Sequence, residues 1–359
     1  MTRDIGITLA AVLLAATTAC ATFGALSHRE EADRLPVISR SQVWNPTDIP
    51  SLDLEAGPQG EGAFRFRETV TCDYIDKKLP GHSAKFDCTI GNNDKVKVKY
   101  GGTNGEVYGE VLATRLLWAL GFGADRMYPV NVICRGCPED FGGILRSRHE
   151  FRFDPAVIER KMKGTEWPKE DARGWSWSEL DLVNEDAGGA PRPQREALKL
   201  LAVFFQHTDS KPTNQRIVCM DPTSIRSEAS CDHAFLMLND VGLTFGHATR
   251  SNADDESSVN LVAWRRTPVW KDDRACVGNL PKSFTGTLNN PVISEEGRRF
   301  LADLLMQLSD RQIHQLFEAA RVQLRLRSPG DVSSGFATID EWADTFKEKR
   351  SQIVDRHCG

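Results

Sequence analysis

The stretch that decides the fold reads H-T-D-S-K-P-T-N-Q-R-I, residues 207 to 217, and lies between an apolar helical run and a β-prone pair. Within it, Asp209, Lys211 and Asn214 have the spacing D-x-K-x-x-N. One short loop therefore carries a carboxylate that can face a hydroxyl group, a cation, and an amide oxygen that can bind a metal ion. This combination suits phosphoryl transfer. The alternative is a polar turn in which Asp209 and Asn214 bond their own backbone.

A lysine-rich strand lies about a hundred residues earlier in the chain. The run K-V-K-V-K-Y, residues 95 to 100, alternates with period two, so Lys95, Lys97 and Lys99 share one face. A solvated lysine edge that prevents strand pairing is one interpretation. The other is that one lysine points into a cleft and holds the phosphates of a nucleotide.

A predicted helix, residues 106 to 121, follows that strand and ends at Gly121, a natural C-terminal stop. Glu106 and Glu110 lie on one stripe of the helix together with small and apolar residues. A carboxylate on such a stripe requires a cationic partner if it is buried. The lysine strand supplies one, so the sequence predicts an ion pair between a strand lysine and a helix glutamate.

A second candidate metal ligand follows the loop. Two predicted strands, 217 to 219 and 234 to 238, come after it, and the second leads into N-D-V-G-L-T-F-G, residues 239 to 246. An aspartate after an apolar strand, with a glycine two residues on, is the arrangement of a D-x-G metal site, with Asp240 as the ligand. The alternative is a β-turn built on Asp240 and Gly242.

The composition limits the class of protein. The chain has 359 residues, of which 40% are hydrophobic, and a net charge of -5. This is sufficient for a substantial core, and neither the bulk charge nor any basic run predicts binding to nucleic acid. Residues 146 to 192 are predicted to be a charged insertion whose tryptophans cover the core.

The N-terminus has the pattern of an export signal. Arg3 precedes an apolar stretch from Ile5 to Ala19, which has the length of a signal-peptide core and is short for a membrane span. Residues 1–21 are therefore predicted to be a signal peptide, cleaved after Ala21. The alternative is a lipid anchor at Cys20. No later stretch could span a membrane, so we expect no transmembrane segment in the mature chain.

The cysteine count agrees with export. Eight cysteines remain besides Cys20, an even number that predicts disulfides in an oxidising compartment. Proximity in the sequence favours the pairs Cys72–Cys88, Cys219–Cys231 and Cys276–Cys358. These pairs leave Cys134 and Cys137, a C-x-x-C for which a structural role is favoured over redox chemistry or zinc binding.

The order of the motifs resembles a known group. D-S-K-P-T-N resembles the catalytic loop of protein kinases, D-x-K-P-x-N, and the wider pattern resembles atypical protein-kinase-like proteins of exported bacterial sequences. These are similar in outline to the secretory-pathway kinases and the HipA-type kinases. The runs that carry the resemblance are S-A-K-F-D-C, V-K-V-K-Y-G, E-V-L-A-T-R-L-L-W-A-L-G-F, N-Q-R-I-V-C and D-V-G-L-T-F-G, across residues 64 to 320.

The resemblance implies an α+β, two-lobed, protein-kinase-like fold. A linker or N-terminal arm would occupy residues 22–62, a strand-rich small lobe residues 63–134 and a helical large lobe residues 135–359. The implied cofactors are ATP with Mg²⁺ or Mn²⁺.

The resemblance also implies roles for individual residues. Lys99 resembles the nucleotide-phosphate lysine, with Lys97 as the second choice, and Glu110 resembles its helix partner. Asp209 resembles the catalytic carboxylate, and Lys211 would stabilise the moving phosphoryl group. The two implied metal ligands are Asn214 and Asp240.

The sequence departs from the kinase pattern at three places. It has no G-x-G-x-x-G loop, since the first hairpin contains only L-P-G-H-S. His207-Thr208 precedes Asp209 where H-R is usual, and Val241 stands where D-x-G motifs have phenylalanine. These departures leave the cradling of the phosphates and any standard activation-loop switch without an assigned residue.

Two functions follow as expectations. The first is an exported kinase-like phosphotransferase that moves the γ-phosphoryl group of ATP to an unknown hydroxyl acceptor, in the periplasm, the cell envelope or the extracellular space. The second is a catalytically inactive pseudokinase that acts as a nucleotide-binding or envelope scaffold, because ATP is scarce outside the cytoplasm.

Overall fold

The structure is a computed structural model. It describes residues 28–81, 83–139, 141, 147–168, 174–221, 223, 225, 230–247 and 258–359, with side chains from residue 34 onward. The predicted signal peptide and Cys20 lie outside these residues. Among the described residues, no helix is both long and apolar enough to cross a bilayer.

Five strands form a closed barrel in the order β1-β2-β3-β5-β4. Their bounds are β1 Thr69–Ile75, β2 Lys85–Ile90, β3 Asp94–Tyr100, β4 Arg126–Pro138 and β5 Arg148–Arg160. All neighbouring strands are antiparallel except β1 and β4, which pair in parallel and close the barrel. Phe86 lies at the centre of an aromatic cluster inside it, in contact with Tyr74, Tyr100 and Phe153.

Strand β5 corrects one part of the sequence prediction. Residues 146–192 were expected to form an insertion, but Arg148–Arg160 pairs with both β3 and β4. The predicted boundary after residue 134 therefore falls inside the barrel. Charged residues alternate along the first half of β5, and Pro155 interrupts it, so its sequence lacks the apolar run of a buried strand. The tryptophans Trp175 and Trp177 are buried in the core, as expected.

The remaining elements are mainly helical. A three-stranded antiparallel sheet of order β6-β7-β8 lies among them, together with a two-stranded sheet of β9 and β10. The bounds are α2 Glu106–Ala119, β6 Thr165–Trp167, α3 Arg192–Phe204, β7 Gln215–Cys219, β8 Ala234–Leu238, α4 Leu261–Arg266, β9 Trp270–Asp272, β10 Val277–Gly278, α5 Glu295–Met306, α6 Asp310–Ala320 and α7 Ile339–Val354.

Three of these helices begin at a residue whose side chain caps the first turn. Ser294 accepts a hydrogen bond from the Gly297 amide at the start of α5. Capping boxes are present at α6, where Ser309 pairs with Gln312, and at α7, where Thr338 pairs with Glu341.

The N-terminal segment packs into the core. Helix α1, His28–Arg40, and the residues after it bury Val37, Val43 and Ile49 completely. The Gln312 side chain of α6 donates hydrogen bonds to the carbonyl oxygens of Ile49 and Leu52, at 2.6 and 2.9 Å. Residues 41 to 54, which we call the arm, therefore lie against the body of the protein rather than linking it to another domain.

Four disulfides connect the described cysteines, in the pairing that the sequence favours. They are Cys72–Cys88 between β1 and β2, Cys134–Cys137 within β4, Cys219–Cys231 and Cys276–Cys358. Cys134 and Cys137 are both fully buried. A redox partner has no access to them, which agrees with a structural role. The four bridges are compatible with an exported protein.

Candidate functional site

The lysine of the third strand lies at the centre of a group of carboxylates. Lys99 is 3% exposed, and its Nζ lies 2.5 Å from Glu110 Oε1 and 2.6 Å from Glu106 Oε2. Asp240 Oδ1 is 3.8 Å away. The predicted partners Lys99 and Glu110 are therefore in contact, and Asp240, also named from the sequence, faces the same amine. We call these four residues the Lys99 cluster.

Burial and the neighbouring charges shift the pKa values of the residues in the Lys99 cluster. Burial lowers the pKa of Lys99, but the carboxylates of Asp240, Glu110 and Glu106 outweigh burial and raise it well above the usual value. Burial raises the pKa of Glu110 well above normal despite the charge of Lys99. Burial raises the pKa of Asp240, but the charge of Lys99, a hydrogen bond with Glu110 and the charges of Lys211 and Lys85 together hold it well below its usual range. Near neutral pH, Lys99 and Asp240 are therefore charged.

Two glycines let helix α2 approach Asp240 this closely. A Cβ atom on Gly109 would lie 2.2 Å from the carbonyl oxygen of Gly242, and one on Gly242 would lie 2.6 Å from Cγ of Glu106. Any side chain at either position would push the helix away from the turn. Gly242 of N-D-V-G thus allows Glu106 and Glu110 to lie close to Asp240.

The loop of residues 207 to 214 holds the second group of predicted residues. Asn214 Nδ2 donates to Asp209 Oδ2 and to the Asp209 carbonyl oxygen, both at 2.8 Å. Lys211 Nζ lies 2.8 Å from the same carboxylate oxygen. The sequence-predicted trio is therefore in mutual contact around a carboxylate of fixed orientation. Because Asn214 uses its nitrogen here, its side-chain oxygen is the atom left for a metal ion.

The β7–β8 hairpin joins this loop to the Lys99 cluster. Gln215 at the start of β7 pairs with Leu238 at the end of β8, so the residues flanking the hairpin lie side by side. The carbonyl oxygen of Asn214 accepts the amides of Asn239 and Asp240, at 2.8 and 3.3 Å. Asn214 and Asp240, the two predicted metal ligands, are therefore joined by a backbone hydrogen bond at the base of the β7–β8 hairpin.

The group around Asp240 has the chemistry of a cation site. One carboxylate oxygen from each of Glu106, Glu110 and Asp240 lies within 4.8 Å of the others. Hard cations such as Mg²⁺ and Mn²⁺ prefer oxygen ligands of this kind. Glu106 was not assigned a role from the sequence, although its position four residues before Glu110, on the same stripe, was a usable signal.

The second-choice lysine has a different partner. Lys97 Nζ lies 2.9 Å from Glu159 of β5, which is also 2.8 Å from Lys161. Burial raises the pKa of Glu159, but Lys161 and Lys97 outweigh it and lower that pKa to about 2. Lys97 is thus held by a separate charged group. Sequence reasoning missed Glu159 because strand β5 was not predicted.

A buried histidine precedes the loop. His207 is 1% exposed, and neither ring nitrogen has a hydrogen-bond partner among the described residues. Burial lowers its pKa to about 4, although Asp209 and Asp240 act in the opposite direction. The ring is therefore neutral near pH 7, and it contacts Trp177 and Phe205.

Comparisons with known proteins found similar solved structures, among them a kinase and a toxin–antitoxin complex. No family model and no curated protein matches the sequence. The chain is similar to the proinflammatory kinase CtkA of Helicobacter pylori, with 10% identity and a TM-score of 0.42, over 81% of this chain and 96% of that one. It is also similar to the HipA toxin–antitoxin structure of Shewanella oneidensis MR-1, solved with HipB and operator DNA. There the identity is 11% and the TM-score 0.29, over 79% of this chain and 65% of that one.

Proposed function

We propose that the protein is a kinase-like phosphotransferase that moves the γ-phosphoryl group of ATP to a hydroxyl acceptor. The observation that carries the proposal is the convergence of Lys99, Glu110 and Asp240, from a strand, a helix and a turn, on one point. The nucleotide-phosphate site of protein kinases combines a strand lysine, its glutamate partner on a helix and a metal-binding aspartate. The acceptor is left open.

Each residue of the site has its own role in the proposed reaction. Lys99, oriented by Glu110, binds oxygens of the nucleotide phosphates. Asp209 takes the proton of the acceptor hydroxyl as the new oxygen–phosphorus bond forms and the bond from the γ-phosphorus to the bridging oxygen of ADP breaks. Asn214 and Lys211 hold the Asp209 carboxylate in place. Lys211 also places a positive charge near the transferred group.

The donor set fits Mg²⁺ or Mn²⁺. Asp240 and the side-chain oxygen of Asn214 would hold the ion, with Glu106 as an additional carboxylate nearby. When bound, such an ion neutralises charge on the phosphate oxygens. The net negative charge of the Lys99 cluster otherwise opposes the approach of ATP, so we expect nucleotide binding to depend on the ion.

The test of the proposed function has a binding step and a transfer step. Thermal stability is measured with ATP and GTP, each with Mg²⁺ or Mn²⁺, and label transfer from γ-labelled ATP to water and to the protein's own hydroxyl groups is followed. We expect stabilisation that depends on the ion. Asp209→Asn should keep nucleotide binding and reduce turnover by roughly 10²- to 10⁴-fold, the range for loss of a general base. Absence of stabilisation by every nucleotide and ion pair would rule out the proposal.

A nucleotide-binding scaffold without catalysis is the second candidate. This candidate is favoured by the contacts of Lys99, because its amine already contacts two carboxylates and faces a third instead of being free for phosphate oxygens. The same experiment separates the two functions. A scaffold binds nucleotide with no turnover above that of Asp209→Asn, whereas a kinase exceeds that variant.

The location outside the cytoplasm is part of the proposal. Four disulfides support it, because such bonds persist in oxidising compartments. Mass spectrometry of the mature protein is the test. A chain beginning at Thr22 indicates cleavage after Ala21, and a lipid-modified Cys20 at the N-terminus indicates an anchor. An intact N-terminus in the native host would contradict export.

A further inference from the structure

A second lysine lies beside Lys99 on the neighbouring strand. The register of β2 and β3 places Lys85 directly opposite Lys99. Residues directly opposite in an antiparallel pair point to the same face with Cβ atoms roughly 5 Å apart, and like charges in such a pair repel each other. Two amines therefore share the face of the barrel that carries the Lys99 cluster.

Lys85 differs from Lys97 and Lys99 of β3, which are both held in ion pairs. It makes no ion pair or hydrogen bond with any residue that the structure describes, although Glu106 and Asp240 are near enough to act on its charge. Lys97 is paired with Glu159, Lys99 is paired within its cluster, and Lys95 is exposed to solvent. Burial, followed by the charge of Lys99, lowers the pKa of Lys85. Lys85 is therefore a half-buried cation with no carboxylate in direct contact among the residues that the structure describes.

The loop between β1 and β2 covers this amine. A Cβ atom on Gly81 would lie 2.8 Å from Lys85 Nζ, so the lysine extends beneath the loop at a residue without a side chain. The hydroxyl oxygen of Ser83 is buried and has no hydrogen-bond partner among the described residues. A cavity of about 550 Å³ opens here, and Lys77, Ser83 and Lys85 are among the residues that line it.

The base of the loop is fixed to the Lys99 strand. The carbonyl oxygen of Ala84 accepts the backbone amide of Tyr100 at 3.1 Å and the side-chain amide of Asn104 at 3.2 Å. Asn104 precedes α2, which carries Glu106 and Glu110. Ser83 and Lys85 therefore have a set position relative to Lys99, as a ligand-binding pair requires.

We propose that Lys85 and the Ser83 hydroxyl bind the terminal phosphates of a nucleoside triphosphate beside Lys99, in place of the glycine-rich loop that the sequence lacks. This inference rests on the proposed function. It adds a cation and a hydroxyl donor from the β1–β2 loop. It also accounts for the position of an unpaired lysine against another lysine, because a polyphosphate separates and neutralises the two amines.

The first experiment measures affinity by calorimetry with Mn²⁺ present. ATP and adenosine are titrated into the wild type, Lys85→Met and the matched control Lys95→Met, which removes an exposed lysine of the adjacent strand. We expect Lys85→Met to bind ATP about 10- to 100-fold more weakly, the loss of one charge-assisted contact, and to bind adenosine within about twofold of wild type. Lys95→Met should resemble wild type with both ligands, and Lys85→Arg should recover most of the ATP affinity.

The outcomes separate this inference from the proposed function. If the wild type binds no nucleotide, the proposed function and the phosphate-binding role of Lys85 are both overturned. If the wild type binds ATP and Lys85→Met binds it equally well, only the role of Lys85 is overturned. An equal loss of ATP and adenosine affinity would also overturn it, because that result indicates a structural change.

The second experiment uses the unaltered protein. Brief acetylation with a water-soluble acetyl ester, followed by peptide mass spectrometry, measures the reactivity of each lysine with and without ATP and Mn²⁺. Bound nucleotide should protect Lys85 at least about fivefold and leave Lys95 unchanged, since a phosphate contact covers the amine. Equal labelling of Lys85 with and without ATP, at a concentration that stabilises the protein, would contradict the assignment.

Discussion

Replacing Lys99 by methionine tests the Lys99 cluster without any assumption about catalysis. Methionine keeps the length of the side chain and removes its charge, so Glu106, Glu110 and Asp240 are left with no cation in contact. Their oxygens lie within 4.8 Å of one another. At that distance two carboxylates repel by roughly 3 to 4 kcal/mol at an effective dielectric constant of about 20.

Protonation limits the total cost. Burial already raises the pKa of Glu110, and the loss of the Lys99 charge raises it further, which favours the neutral carboxyl group. We therefore expect Lys99→Met to lower the free energy of unfolding at pH 7.5 by about 3 to 5 kcal/mol, the range for breaking a buried ion pair. Lys95→Met, at an exposed position of the same strand, should change it by less than about 0.5 kcal/mol.

The assay is urea unfolding followed by circular dichroism at pH 7.5 and pH 5.5. In the variant, Glu110 keeps a pKa above that of the unfolded chain, so it destabilises the fold more as pH rises. The deficit relative to wild type should therefore shrink at pH 5.5, and Glu110→Gln added to Lys99→Met should recover part of it at pH 7.5. A deficit no larger than that of Lys95→Met, or one that grows at pH 5.5, would refute this account of the cluster.

Three further outcomes are expected. His207 has a folded pKa of about 4, below its unfolded value, so its contribution to stability is present above pH 6.5 and is lost as pH falls. The wild type should lose about 3 kcal/mol relative to His207→Leu between pH 7.5 and pH 4 in urea titrations, and parallel pH profiles would contradict this. Gly109→Ala should destabilise the protein by about 1 to 3 kcal/mol and reduce its stabilisation by ATP and Mn²⁺, because the new methyl group meets the Gly242 backbone; an unchanged melting temperature would argue against that contact. Replacing Cys276 and Cys358 together by alanine should cost about 4 kcal/mol, against about 2 for Cys134 and Cys137, since the bridges close 82 and 3 residues; the opposite ranking in urea unfolding would contradict the loop-entropy account.

The site was largely visible in the sequence because its parts lie on short local motifs. The trio Asp209, Lys211 and Asn214 spans six residues, and a loop of that length leaves few ways to separate their side chains. Alternation along β3 and the stripe on α2 put Lys99 and Glu110 on facing surfaces. These signals depend on nearest neighbours along the chain, which is the information that a single sequence contains.

The features that were missed depend on long-range pairing. Strand β5 belongs to the barrel through its register with β3 and β4, and its charged alternation has no local signal for burial. To predict that Lys85 has no ion-pair partner among the described residues, one needs the β2–β3 register and the positions of the carboxylates near it. Glu106 was on the correct stripe, but its position beside Asp240 depends on the approach of α2 to Gly242, which no local pattern encodes.

The arm has a consequence for the order in which the chain folds. Its carbonyl oxygens at Ile49 and Leu52 pair with Gln312, 263 and 260 residues later in the chain. Another residue of the arm, Gln42, pairs with Ala234 and Leu236 around β8. Contacts this distant in sequence carry a large loop-closure entropy and slow the folding reaction. During synthesis, the arm therefore emerges early but cannot complete its contacts until most of the chain has followed it.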